Sequence, residues 1–175
     1  MRVGAPGRGE AAFLAANRAI CAALMASACG LVFANVVLRY GFGASLAWAE
    51  EAARYLVIWL SFLGAGLALR EGAHIAVEAL PDALPGGPAR ALRLLVVLLV
   101  GASLAAVLWL GWQYAQFAWG QRSPVMRLSA GAVYLAVPVG CALMLAHLAL
   151  AARDAVLRPG GDDAKVRAAE LGGAL

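Results

Sequence analysis

The stretch Trp48–Leu60, WAEEAARYLVIWL, brings two carboxylates and a guanidinium into an otherwise apolar run. On a helix Glu50 and Arg54 are i, i+4 neighbours, and Glu51 and Arg54 are i, i+3 neighbours. Acid before base is the favourable order, and carboxylates near a helix start suit its dipole. The three groups are therefore expected to neutralise one another partly. A charge at mid-bilayer costs about 2.5–3.5 kcal/mol and less near the edge, so the cluster belongs at a membrane boundary. Two roles fit it: a charge cluster that sets the end of a helix, or a polar patch offered to another protein.

Three other groups of residues have chemical potential. His74 and His147 are expected toward the same end of two parallel helices, where two imidazoles could ligate a haem iron from both sides. Isolated histidines more commonly serve as hydrogen-bonded polar groups. Gln113 and Gln116, three apart beside Trp109 and Trp112, carry amides that need partners in lipid. Trp48 and Trp59 fit either an interface or a core. The three cysteines all fall in expected helices, and Cys21 and Cys29 stand about 12 Å apart along one of them, too far to bridge. The sequence holds no G-x-x-x-x-G-K-[ST], G-x-S-x-G, H-E-x-x-H or C-x-x-C, so it offers no enzyme motif.

The elements that must position these groups follow from composition. Of 175 residues, 63% are hydrophobic and 14% charged, against roughly 45–50% and about 25% in ordinary soluble domains. Charge-free gaps of 20, 15, 28 and 25 residues separate Arg18 from Arg39, Arg54 from Arg70, Arg93 from Arg122, and Arg127 from Arg153. About 20 apolar residues cross a hydrocarbon core. The expected fold is an all-α integral membrane protein with four transmembrane helices, near 18–38, 47–70, 92–120 and 130–152. Residues 1–17 are expected to form a loose N-terminal segment and 153–175 a flexible tail. Gly41 and Gly43 should end the first helix, and Ser45 should cap the second. The connection 71–93 has the makings of a segment lying on the membrane before its prolines turn the chain. Pro138 should kink the fourth helix. With the N-terminus inside, ten Lys and Arg fall in the cytoplasm and four outside, so both termini are expected in the cytoplasm. The net charge of +4 thus reflects topology, and with no basic run it gives no sign of nucleic-acid binding.

The order and spacing of several motifs add a resemblance. "RY" at 39–40, "WAEEAARY" at 48–55, Trp59, "LGAGLALR" at 63–70, "GAHIAVEAL" at 72–80 and "QRSPVMRLSAGAVYLAVPVG" at 121–140 resemble the small membrane subunit, DctQ-type, of the tripartite ATP-independent periplasmic (TRAP) transporters. The resemblance covers about residues 15–150. Glu78 stands where the family often has Asp, and Arg127 lies in a loop that is usually more apolar. The resemblance implies a small permease component in a bacterial inner membrane. Its partners would be a large membrane subunit and a periplasmic solute-binding protein, in sodium-coupled uptake of an organic acid such as a C4-dicarboxylate. Substrate and sodium would bind the large subunit, so this chain would carry no cofactor and no catalytic or metal site. The implied interface and motif residues are Arg39, Trp48, Glu50, Glu51, Arg54, Trp59, Arg70, His74, Gln113 and Gln116. The alternatives are a haem-bearing electron carrier using His74 and His147, and a self-contained channel or transporter.

Overall fold

The computed structural model describes residues 8–79 and 87–157. They form α1 (Arg8–Gly41), α2 (Ala47–Ala79), α3 (Gly87–Phe117) with a 3-10 turn over Ala118–Gly120, a short α4 (Ala130–Tyr134) and α5 (Ala136–Leu157). Four stretches are long and apolar enough to cross a bilayer: Gly9–Gly41, Ala47–Leu69, Leu94–Gly120 and Ala130–Leu150. The four expected spans are present, and the protein is all-α and multi-pass.

The helices extend beyond the apolar spans. α1 has 34 residues, so residues 8–17, expected to be loose, are helical. Their Ala-rich sequence has high helix propensity, and Glu10 in the first turn suits the dipole. α2 likewise continues past Arg70 to Ala79, taking in most of the "HIAVEAL" segment expected to lie on the membrane. Residues 80–86 and the expected tail from 158 onward lie outside the described residues.

Local chemistry explains the breaks. Gly43 adopts φ 66°, which lets the Ala44 N–H return to the Leu38 carbonyl at 3.1 Å and closes α1. Pro138 has no N–H to give the Tyr134 carbonyl, and the last span divides into α4 and α5 at Leu135. This is the expected kink.

α2 packs on α5, α1 lies along α2, and α3 lies along α5 and α4. The helices thus form an open row with α1 and α3 at its two edges. Small residues make the contacts: Ala28, Ala49, Ala53, Ala115, Ala118 and Ala136 are buried. A Cβ at Gly140 would stand 2.6 Å from Phe62 Cβ and 2.8 Å from its carbonyl oxygen. Lipid tails are as apolar as leucine, so close backbone approach and dispersion hold such helices together. In the most apolar 18-residue stretch of α3 no residue is buried, and Leu98, Trp109 and Leu110 point outward.

Candidate functional site at the charged end of the helix row

Glu51, one turn into α2, is 6% exposed. Its Oε1 accepts the Tyr55 hydroxyl at 2.6 Å. Its Oε2 accepts the N–H groups of Val125 at 3.0 Å and Met126 at 3.2 Å. The buried Ser123 hydroxyl also reaches this carboxylate. Every neighbour is a donor, which is the environment of an ionised carboxylate. Tyr55 follows Glu51 by four residues, so α-helical geometry alone brings the phenol to it.

The connection between α3 and α4 is folded around this acid. Ser123 N–H donates to the Leu128 carbonyl at 2.8 Å, and Leu128 N–H donates to Ser123 Oγ at 3.1 Å. Ser129 Oγ donates to the Trp119 carbonyl at 2.7 Å, and Ala130 N–H donates to the Gln121 carbonyl at 2.9 Å. Arg127 takes φ 58°, a left-handed conformation that a side chain with a Cβ rarely adopts. Pro124, Val125, Arg127 and Leu128 are left exposed on a loop held from inside.

Glu50 has a separate role. It is exposed and pairs with Arg39 of α1 at 3.9 Å, while Asn35 Nδ2 donates to it at 3.5 Å. Asn35 Oδ1 accepts the Leu46 N–H at 2.8 Å. The side chain that satisfies the chain as it enters α2 is thus Asn35 of the preceding helix, where the sequence points to Ser45. Arg54 is exposed and shares an open depression with Arg39, Glu50, Tyr55, Pro124 and Val125.

The expected pairing of Arg54 with Glu50 and Glu51 is therefore replaced by two tertiary links. Glu50 joins α2 to α1, and Glu51 joins α2 to the α3–α4 loop. Of the other expected residues, Trp48 is exposed at this end, Trp59 is half-buried, and Gln113 and Gln116 are exposed on α3. The side chains of Arg70 and His74 lie outside the described residues. Tyr55 and Ser123 fall within the motifs at 48–55 and 121–140 but carry no assigned role in the sequence reading, and Asn35 lies outside every motif. A lone asparagine in an apolar helix was the available signal, since such an amide must find partners.

The opposite end of the row is organised by His147, which is fully buried. Asn17 Nδ2 lies 3.3 Å from its Nε2 and 3.3 Å from the Leu63 carbonyl. Asn17 Oδ1 faces Cys21 Sγ at 3.8 Å, which orients the amide with its N–H groups toward the imidazole and the carbonyl. Phe13 packs on the imidazole at 4.9 Å between centroids, and a Cβ at Gly66 would stand 2.7 Å from its Cδ2. With Nε2 engaged and the ring enclosed, His147 is a helix-packing residue.

The family model of the DctQ component of tripartite ATP-independent periplasmic transporters matches residues 28–158. The chain belongs to this family. It is 34% identical over 129 residues to a Haemophilus influenzae chain designated a TRAP transporter small permease protein, covering 74% of this chain and 80% of that one. The ectoine TRAP transporter small permease protein TeaB of Halomonas elongata is 33% identical over 109 residues, 61% of this chain and 56% of TeaB. The isethionate TRAP transporter permease protein DctMQ of Oleidesulfovibrio alaskensis is 31% identical over 118 residues, 66% of this chain but 18% of that one. The DctQ family is a transporter component and not an enzyme family.

Proposed function

We propose that this DctQ-family chain binds the large membrane subunit of a TRAP transporter and widens its fixed scaffold, conducting nothing itself. A soluble binding protein delivers an organic acid, and a sodium gradient drives uptake through sites in the large subunit. The observation that carries this reading is the open helix row. A self-contained conductor needs a closed path with facing cations or broken helix ends deep in the bilayer. Among the described residues the buried polar side chains are Asn17, Asn35, Glu51, Ser123 and His147. They divide between the two ends of the row and are committed to local hydrogen bonds. The break at Leu135 lies within two turns of the loop and is explained by Pro138.

The relatives support the same assignment. In the DctMQ chain the matched part is under a fifth of a much longer permease polypeptide, consistent with a small unit working beside a large one. Ectoine and isethionate are chemically different solutes, which supports placing solute choice in another chain. The Lys and Arg distribution favours cytoplasmic termini, which puts the end bearing Glu50 and Glu51 on the periplasmic side of a bacterial inner membrane.

Reconstitution tests the proposal. Liposomes holding this chain with a large TRAP membrane subunit should take up solute only when sodium and the soluble binding protein are supplied. The two membrane chains should co-purify. Uptake by liposomes holding this chain alone would overturn the reading.

A further inference from the structure

We propose that the seam between α1 and α2 is a binding site for one phospholipid, whose headgroup joins a phosphodiester to a primary ammonium as in phosphatidylethanolamine.

Two adjoining cavities carry the inference. One is the open depression at the charged end, 470 Å³ in volume, whose lining includes Arg39, Ser45, Glu50 and Arg54. The other is a narrower groove of 170 Å³, walled by Val32, Val36, Tyr40 and Ala49. Arg39 and Glu50 line both, so the polar depression runs directly into the apolar groove. Helical spacing puts Val32, Val36 and Arg39 on one face of α1, and all three are exposed. The groove therefore leads from the arginines into the apolar span Gly9–Gly41. A soluble anion would use the depression alone. A phospholipid fills both, with its headgroup in the depression and an acyl chain along the valines.

The polar groups have capacity to spare. Arg39 and Glu50 stand 3.9 Å apart with side chains 61% and 62% exposed, a separation beyond a hydrogen bond. Arg54 is exposed and forms no ion pair among the described residues. Two guanidinium groups thus offer forked donors to a phosphodiester, and the start of α2 at Ala47 adds its positive dipole end beside them. The contacts of Glu50 with Arg39 and Asn35 both fall on Oε1, which leaves Oε2 for a donor. A carboxylate there repels a purely anionic headgroup and attracts an ammonium that can donate to it. A zwitterionic headgroup satisfies both signs at once. Tyr40 and Trp48 are exposed beside Arg39 and Ala47, at the depth where aromatic side chains meet headgroups. Basic pockets between membrane helices commonly recognise lipid phosphates.

The test titrates the full chain, purified in detergent and stripped of lipid, with dioleoyl phosphatidylethanolamine, and reads bound lipid by native mass spectrometry. This lipid should bind about tenfold more tightly than phosphatidylglycerol or N-acetyl-phosphatidylethanolamine, which lacks the cationic amine. The N-acetyl lipid probes the ammonium contact without any substitution in the protein. Arg54→Gln should weaken binding about tenfold. Arg122→Gln, the same charge change outside both cavities, should stay within about twofold of wild type. Glu50→Gln should still bind phospholipid but lose the preference for phosphatidylethanolamine over phosphatidylglycerol. Inorganic phosphate and glycerophosphoethanolamine should fail to displace the lipid at equal concentration. Equal weakening by Arg54→Gln and Arg122→Gln would show unspecific attraction and overturn the proposal. So would equal binding of the three lipids to the wild type. Displacement by inorganic phosphate or glycerophosphoethanolamine would also overturn it, because the occupant would then be a soluble ion.

Discussion

Two adjacent glutamates have opposite fates. Glu50 forms an exposed ion pair with Arg39 at 3.9 Å, and such pairs contribute about 0–1 kcal/mol. Glu51 accepts at both oxygens from a phenol and two backbone amides. Glu51→Gln offers one acceptor oxygen where two are used, so either Tyr55 or the loop amides lose their partner. Hydrogen exchange at Val125 and Met126 should accelerate about tenfold or more in Glu51→Gln and be nearly unchanged in Glu50→Gln. Equal protection in both variants would show that the latch does not hold the loop. At the far end Asn17 and His147 form a pair between helices. A double-mutant cycle with Asn17→Leu and His147→Leu should give a coupling of about 0.5–1.5 kcal/mol in detergent unfolding. The charged cluster was legible as a boundary feature because carboxylates in an apolar run have few affordable positions. Its partners were not legible, since the local rule that pairs Glu with Arg one turn on does not anticipate a loop 74 residues away.

At the scale of elements, glycines at helix contacts separate close packing from mere proximity. A Cβ at Gly140 would meet the Phe62 backbone at 2.8 Å, while one at Gly101 would meet only Leu148 Cδ2 at 3.8 Å, an ordinary contact. Gly140→Ala should lower stability by about 1–3 kcal/mol, and Gly101→Ala should be neutral or slightly stabilising through helix propensity. Thermal unfolding of the purified protein in detergent checks both; equal melting temperatures would refute the close approach of α2 and α5. Helix existence was readable from charge-free gaps, and the kink was readable from Pro138. Helix ends were not, because the gaps mark where lipid ends. Backbone hydrogen bonding continues into the Ala-rich residues 8–17 and past Arg70, where nothing in the local sequence stops it.

For the whole molecule, four spans among the described residues put the start of α1 and the end of α5 at one end of the row. Phe13 and Asn17 of α1 accordingly meet His147 of α5. A reporter active only in the cytoplasm should be fully active when fused after Leu175, and one active only in the periplasm should be silent there. The reverse pattern would refute the orientation proposed for the end bearing Glu50 and Glu51. The open row leaves α1 and α3 with large outward faces, and this sets the molecule apart from a closed four-helix bundle.

The sequence by itself determined the solvent, the number of spans, the helical class and the family, because bilayer thickness and the cost of charge act on composition along one dimension. Tertiary structure alone decided that the helices lie in a row, that Glu51 leaves the surface while Glu50 stays, and that His147 is enclosed by Asn17, Phe13 and Gly66. Those outcomes depend on which backbones approach closely enough for a buried polar group to find its partner, a distance that linear spacing does not encode.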